Sequence, residues 1–406
     1  MMKPKVVARQ PIFDKSLKIY AYELLFRGDA LDVFGQFDHD KATSSVLYDG
    51  LFAVGLESLT HGKSAFVNFS RGMLTNEITE NLPKDHITIE ILENVEPDAL
   101  VLAVCDKLRK AGYQLALDDF PEAVQPNPLV QMADIIKVDI LNSPEQHCRE
   151  VPKRFAGANR VFLAEKVETY EQYRKAVDWG YTLFQGYFFC RPQLIDTREI
   201  RGNKLVYFQL LKAMQDPDIT MENLERIIHQ DVSLSFAIIK YINSAAVGLR
   251  SKVQSVKHAL TLLGMKKIRE FSTLILFKRL GEDKPSELVV NSLIRGRFSE
   301  LLAAHSGLKA KSGEAFLIGI FSLIDALLDR PMDTIVTELN LSEEITAALL
   351  RKPSPLTSIL ETVIAYEQAD WENYDASAKP LGATDEATQE IYFSAVAWAE
   401  EIVSQK

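Results

Sequence analysis

Charged and amide residues interrupt apolar runs in the first half of the chain, at positions otherwise suited to burial. They comprise five carboxylates, two amides and one ammonium group, namely Glu23, Asn68, Glu90, Asp118, Asp119, Lys137, Glu165 and Gln185. Burying an isolated charge is costly unless the charge is paired or bound to a metal. Carboxylate and amide oxygens are hard ligands that suit Mg²⁺ or Mn²⁺. The pattern therefore predicts a divalent-metal site, in which two metal ions would activate water and clamp a phosphodiester for in-line attack.

Eight short runs rich in Val, Ile, Phe and Tyr must position these residues. They are VVARQ, IYAYELLF, AFVNF, ITIEIL, YQLALDDF, IIKVDI, VFLAEKV and LFQGYFF. Several runs are apolar on both faces, which is typical of a parallel sheet, and amphipathic helical stretches alternate with them. The order predicts an α/β fold, a TIM-like (β/α)₈ barrel, with a doubly wound open sheet as the alternative. In a barrel the carboxyl ends of the strands converge on one mouth, which would bring the polar residues together.

Three of the interrupting residues, Asp118, Asp119 and Lys137, have positions that suggest particular roles. Asp118 and Asp119 are adjacent and would point to opposite faces of a regular strand, but both can reach the mouth where the chain turns at a strand end. Lys137 is placed to stabilise developing negative charge or to orient water. For any single residue of the set, the alternative is an ordinary salt-bridge partner.

The second half of the chain has a different texture. From about residue 203, apolar residues recur at helical spacing in segments such as SLSFAIIKYINSA and KIREFSTLILFKRL, which predicts an all-helical bundle. Residues 191–203 are the predicted linker. We expect two domains, an α/β barrel over residues 1–196 and a helical domain over residues 197–406.

Composition limits the function classes. The 406-residue chain carries a net charge of -10, which argues against binding to a nucleic-acid polymer or an anionic membrane surface. Its three cysteines are widely spaced and form no metal or disulfide framework. The N-terminus has no apolar stretch of signal-peptide length, so a cytoplasmic protein is expected.

The first half resembles the EAL domain family of bacterial cyclic-di-GMP phosphodiesterases from about Ala8 to Pro192. The carriers are QPIF at Gln10, YELLFR at Tyr22, FVNFS, ITIEILEN, LALDDF, IIKVD, LAEKVET and FQGYFFCRP. The signature reads ELL rather than EAL but keeps the wider E-x-L-x-R pattern in Glu23, Leu25 and Arg27.

The resemblance implies metal-dependent hydrolysis of cyclic-di-GMP to linear pGpG, with roles for particular residues. The implied metal ligands are Glu23, Asn68, Glu90, Asp118 and Asp119. The implied catalytic group consists of Glu165, Lys137, Gln185 and the loop-supporting Glu93. Substrate binding is assigned to Gln10, Leu25 and Arg27, with Arg27 as the contact to a substrate phosphate.

The loop after Asp119 departs from the family pattern and leaves alternatives open. The family follows DDF with the glycine-rich loop GTGYSSL, which supports dimerisation, whereas this chain reads DDFPEAVQPNPL with Pro121 where a glycine is expected. Lys166 replaces the family's usual glycine after Glu165. The alternatives are a cyclic-di-GMP receptor without turnover and a protein-interaction scaffold, and a homodimer is an expectation of the resemblance.

The second half resembles the HDOD domain family. The carriers are DPDIT at Asp216, LERIIHQDVSLS, YINSAAVG, SVKHALTLLG and EAFLIGIF. HDOD domains are related to metal phosphohydrolases of the HD type, but Ser322 and Leu323 stand here in place of the metal-binding His-Asp pair. We therefore expect a regulatory module with an unknown protein partner, and no metal role for His229, His258 or His305.

Overall fold

The structure is a computed structural model of the chain. It describes residues 7–27, 56, 59–75, 82–118, 128–157, 160–191, 202–216, 218–229, 239, 242–243, 253, 255–339 and 341–404. The predicted linker lies largely outside these ranges, as do Asp119 and the Pro121 loop.

The first half folds as a closed barrel of eight strands. The strands are β1 (Val7–Asp14), β2 (Ile19–Phe26), β3 (Ser64–Phe69), β4 (Ile87–Ile91), β5 (Gln114–Leu117), β6 (Ile135–Asp139), β7 (Val161–Glu165) and β8 (Leu183–Gln185). They pair in sequence order, and β1 closes the ring against β8. The predicted barrel is confirmed, and the open doubly wound alternative is wrong.

The first strand runs against the direction of the others. β1 pairs antiparallel with both β2 and β8, whereas the pairs from β2 to β8 are parallel. The prediction of a barrel did not specify this reversal. A tight turn explains it, since only Lys15 to Lys18 separate β1 from β2 and a parallel connection needs a dozen or more residues.

Helices connect the barrel strands. They are α1 (Arg71–Leu74), α2 (Ala99–Ala111), α3 (Pro128–Met132), α4 (Glu145–Arg154) and α5 (Tyr170–Trp179). The α5 helix begins at a capping box formed by Thr169 and Gln172 and ends at Gly180, whose φ of 109° is left-handed.

The second half is helical throughout its described part. Its helices are α6 (Gly202–Gln215), α7 (Met221–His229), α8 (Val256–Leu280), α9 (Ser286–His305), α10 (Ser312–Phe321), α11 (Ile324–Leu328), α12 (Met332–Leu339), α13 (Glu343–Leu349), α14 (Pro355–Glu367), α15 (Trp371–Ala378) and α16 (Asp385–Ser404). The side chain of Ser255 caps α8 at the amide of His258, and Gly264 breaks that helix with a φ of 78°. Among the residues described, no helix combines the length and apolar character that crossing a membrane requires.

Contacts between α-carbons divide the chain into two compact units. One contains Met1–Phe189, His305–Gly307 and Glu361–Ala397, and the other contains Cys190–Ala304, Leu308–Leu360 and Trp398–Lys406. The barrel unit therefore includes a C-terminal segment that is distant from it in sequence.

Candidate metal centre

The interior of the barrel is built in two layers. The apolar layer comprises Ile12, Ala21, Phe66, Ala116, Ile135, Leu163 and Leu183. On each strand from β2 to β8 that contributes to this apolar layer, one of the polar residues identified in the sequence follows the apolar residue by two positions. Because side chains alternate along a strand, a spacing of two keeps both residues on the inward face. The apolar layer thus forms the floor of a polar layer at the carboxyl ends of the strands.

The reversal of β1 brings a further polar residue to this layer. Gln10 precedes Ile12 by two positions instead of following it, and it pairs with Glu23 in the β1–β2 register. The Gln185 amide nitrogen donates to Gln10 Oε1 at 3.0 Å and to Glu23 Oε2 at 2.6 Å. The amide of Asn68 donates to Glu23 Oε1 at 2.9 Å. These bonds fix the Glu23 carboxylate between two amide side chains.

The Lys137 ammonium group lies among four carboxylates. Its Nζ atom is 2.6 Å from Glu165 Oε1, 3.1 Å from Asp118 Oδ1 and 3.6 Å from Glu23 Oε2. It also contacts Glu90 Oε1. The Lys137 side chain is 1% exposed and that of Glu90 is fully buried. One positive charge therefore faces four acidic groups.

Burial and this crowding shift the pKa values of the site in defined directions. Burial, followed by repulsion from Glu23, raises the pKa of Glu90 well above its ordinary value despite the attraction of Lys137. Burial raises the pKa of Glu165 to about 8, against the opposing effect of Lys137. Burial lowers the pKa of the Lys137 ammonium, but the surrounding carboxylates outweigh it and hold the pKa well above its ordinary value.

The donor set fits a divalent cation. One carboxylate oxygen each from Glu23, Glu90 and Glu165 lies within 4.8 Å of the others. Three buried oxygens of the layer accept no hydrogen bond, namely Asn68 Oδ1, Glu90 Oε2 and Gln185 Oε1. Buried oxygens are costly to leave unpaired, and a hard cation is the partner that would satisfy several of them at once.

Leu25, Arg27 and Glu93 lie outside this layer, at or beyond the ends of their strands. Leu25 and Arg27 follow Glu23 at a spacing of two, and Leu25 is half-buried at the end of β2. The side chain of Arg27 is 28% exposed and binds two aspartates of the C-terminal segment. Glu93 is exposed in the turn after β4. Asp119 falls outside the described residues.

The sequence prediction missed one buried acid beside the site. Asp139 is the last residue of β6 and lies opposite Glu165 of β7 in the strand register. Its Oδ2 atom forms an ion pair with Lys166 Nζ at 2.7 Å. Burial raises the pKa of Asp139, but hydrogen bonds from Lys166 and Asn142 outweigh burial and hold it below its ordinary value. Lys166 has a φ of 52°, a left-handed conformation that explains why glycine suits this position in the family pattern. The signal for Asp139 was its place two residues after Lys137 in the same run.

Gly186 holds the turn that follows Gln185, and its substitution has a predicted effect. Its φ is 142°, and a β-carbon there would come within 2.1 Å of the Val167 carbonyl oxygen. We expect Gly186→Ala to lower the free energy of unfolding by about 2–5 kcal/mol, measured by urea denaturation. Gly62→Ala is the matched control, since Gly62 also has a positive φ but has nothing within 4 Å of such a β-carbon. Equal losses in the two variants would contradict the steric argument.

In the helical half, an arginine contacts Ser322, which the resemblance aligns with the metal-binding pair of HD enzymes. Ser322 follows α10, and its hydroxyl accepts from the Arg295 guanidinium at 3.2 Å and donates to the Gly319 carbonyl. The side chain of His229 lies 3.6 Å from Glu225 one helical turn away. His258 and His305 lie in α8 and at the end of α9.

Comparison with known proteins identifies both halves. The EAL domain family matches residues 67–192, which begins at β3, and the HDOD domain family matches residues 204–329. The polar residues of β1 and β2 lie before the first match, and α12 to α16 lie after the second.

Two relatives match this chain over nearly its whole length. One is the "Uncharacterized protein YuxH" of Bacillus subtilis, 34% identical over 98% of this chain and 99% of its own length. The other is the "Cyclic di-GMP phosphodiesterase CdgJ" of Vibrio cholerae, 33% identical over 98% of this chain and 92% of its own length. A solved structure of a standalone EAL protein from Vibrio cholerae with cyclic-di-GMP bound is 24% identical, with a TM-score of 0.36, over 47% of this chain and 92% of that one. This chain belongs to the family of proteins in which an EAL domain is followed by an HDOD domain.

Proposed function

We propose that the barrel hydrolyses cyclic-di-GMP to the linear dinucleotide pGpG with a divalent metal, Mg²⁺ or Mn²⁺, as cofactor. The observation that carries the proposal is the polar layer, in which three glutamate oxygens lie within 4.8 Å of one another beside buried oxygens that lack a hydrogen bond. The relative from Vibrio cholerae, described as a cyclic-di-GMP phosphodiesterase, supports the choice of substrate.

The metal would be held by residues at adjacent strand ends. We assign this role to Glu23, Asn68, Glu90, Asp118 and Asp119. A bound divalent ion supplies a water of lowered pKa and neutralises charge on the phosphodiester. Asn68 and Gln185 hold the Glu23 carboxylate in place by hydrogen bonds, which keeps its oxygens pointed into the layer.

The remaining groups act on the water, the proton and the substrate. We assign Lys137 and Gln185 to orienting the attacking water, since both lie on the inward face among the proposed ligands. Glu165 either joins the ligand set or relays the proton, and its raised pKa of about 8 suits proton transfer. We assign Glu93 to loop support, as the resemblance implies, and Gln10, Leu25 and Arg27 to substrate binding, with Arg27 on a phosphate.

Incubation of the purified chain with cyclic-di-GMP and Mn²⁺ tests the proposal. We expect linear pGpG to accumulate, and we expect a chelator such as EDTA or the variant Asp118→Ala to abolish the product. If cyclic-di-GMP binds saturably in Ca²⁺ but no product forms in any metal, the proposed hydrolysis is wrong and the chain is a cyclic-di-GMP receptor. Neither binding nor product would leave a scaffold, in which the acid layer has no role.

We propose the helical half as the regulatory module and keep the functional division at residues 1–196 and 197–406. The barrel holds the acidic side chains proposed to bind metal, whereas the helical half has Ser322 in place of a metal ligand. Its protein partner, the homodimer and the cytoplasmic location stay predictions.

A further inference from the structure

Arg27 lies at the mouth of the barrel, immediately after β2 ends at Phe26. It follows Glu23 by four residues, so it continues the strand face that carries the polar layer. A guanidinium at this rim is suited to a substrate phosphate, because its planar donors match paired phosphate oxygens.

In this structure the Arg27 guanidinium is already bound by two carboxylates. Its Nη2 atom lies 2.5 Å from Asp375 Oδ2, and its Nη1 atom lies 3.0 Å from Asp385 Oδ1 and 3.2 Å from Asp385 Oδ2. The guanidinium carbon also lies 5.8 Å from the ring centroid of Tyr374. Two negative charges therefore face one positive charge at the rim.

The two aspartates belong to Glu361–Ala397, which folds as part of the barrel unit. The Tyr366 hydroxyl donates to the Val7 carbonyl of β1 at 3.2 Å, and the Tyr187 hydroxyl after β8 donates to the Glu367 carbonyl at 3.2 Å. Tyr366 is fully buried, and its ring packs against those of Tyr374 and Tyr392. Hydrogen bonds to the start of β1 and to the turn after β8 thus hold the segment that carries both aspartates.

Carboxylates and phosphates compete for the same guanidinium donors. While Asp375 and Asp385 bind Arg27, the local charge is negative and opposes the approach of an anionic phosphodiester. The segment lies after the residues matched by the HDOD family, so neither domain family accounts for it.

We propose that Glu361–Ala397 is an autoinhibitory latch, in which Asp375 and Asp385 hold Arg27 away from the phosphate of the substrate. The proposal rests on the phosphodiesterase function proposed above. Binding of cyclic-di-GMP requires exchange of the two carboxylates for a phosphate, and the affinity of the full chain for substrate is reduced accordingly.

The double variant Asp375→Asn/Asp385→Asn in the full-length chain tests the latch. Asparagine keeps the size of each side chain and removes its charge. We expect KM for cyclic-di-GMP to fall by about five- to tenfold, with kcat changed less than about twofold. The matched control is Asp106→Asn/Glu171→Gln, which removes two acids that pair with Lys110 and Lys175 on exposed helix surfaces.

The possible outcomes distinguish failure of the latch from failure of the proposed phosphodiesterase function. An active wild type whose KM equals that of the double variant would overturn the latch alone. A rise of KM in the double variant would overturn it too, because the aspartates would then position Arg27 for substrate. A wild type that neither binds nor hydrolyses cyclic-di-GMP would overturn the proposed function itself.

Hydrogen exchange on the unmodified chain gives a measurement that does not depend on folding of a variant. We expect saturating cyclic-di-GMP with Ca²⁺ to speed amide exchange in Trp371–Ala378 at least about threefold, because substrate releases that helix from Arg27. Exchange that is unchanged or slower on binding would contradict the latch.

Discussion

Replacing Lys137 with methionine is expected to lower the free energy of unfolding by about 3–5 kcal/mol in metal-free buffer. In the presence of metal, the same variant is expected to lose hydrolysis of cyclic-di-GMP. The side chain is 1% exposed and contacts four carboxylates. Methionine fills a similar volume, so the loss reports the missing charge rather than a cavity. Urea denaturation of the wild type and the variant measures the difference.

The same variant has a second expected property and a close control. Since a divalent cation would neutralise the carboxylates that Lys137 faces, we expect Mn²⁺ to restore part of the lost stability. Lys284→Met is the control, because Lys284 is also buried, with a side chain 6% exposed, but pairs with one acid, Asp329. We expect a smaller loss there and unchanged hydrolysis. A Lys137 variant as stable as the wild type would show that the acidic layer does not need this cation.

Replacing Glu90 with glutamine is expected to separate activity from stability. Glu90 is fully buried, contacts Lys137, and contributes one of the three glutamate oxygens of the proposed metal site. We expect hydrolysis to fall more than about a hundredfold, since changes even outside the ligand set of metal enzymes cost tenfold to a hundredfold. Stability without metal should be unchanged or higher, because glutamine keeps the shape and removes a carboxyl group whose ionised form is disfavoured by burial and by repulsion from Glu23.

Thermal denaturation with and without Mn²⁺ checks this prediction. Bound metal should raise the melting temperature of the wild type by mass action and leave that of Glu90→Gln unchanged. Glu171→Gln, an exposed change on α5, serves as the control that should behave like the wild type. A Glu90→Gln protein that retains both the metal-induced shift and full activity would remove Glu90 from the proposed ligand set.

Much of the barrel interior followed from residue types and spacing. Each polar interruption predicted in the sequence and described by the structure, from Glu23 to Gln185, lies at or near the carboxyl end of its strand. The inference worked because a charge is tolerated inside an apolar strand where partners converge on it. Each polar residue could therefore be recognised from its own strand segment, although its contacts are with residues of other strands.

Contacts between distant segments left no such signal. Asp375 and Asp385 lie in ordinary acidic positions of a helical region, and nothing in their neighbours indicates an arginine more than three hundred residues away. Gln10 was named through the family motif rather than through strand direction, and its contact with Gln185 depends on the antiparallel course of β1. Long-range pairing of this kind is decided by topology, which the pattern of one segment does not contain.

The discontinuous barrel unit also has a consequence for biosynthesis. Its last strand ends at Gln185, but its sequence is completed only by the segment that ends at Ala397. At about 5–20 residues per second, a ribosome needs on the order of 10–40 s to make the intervening stretch. During most of that interval the nascent barrel has all eight strands while Asp375 and Asp385 are still unmade. A translating chain would thus display a bare Arg27 before the finished protein covers it.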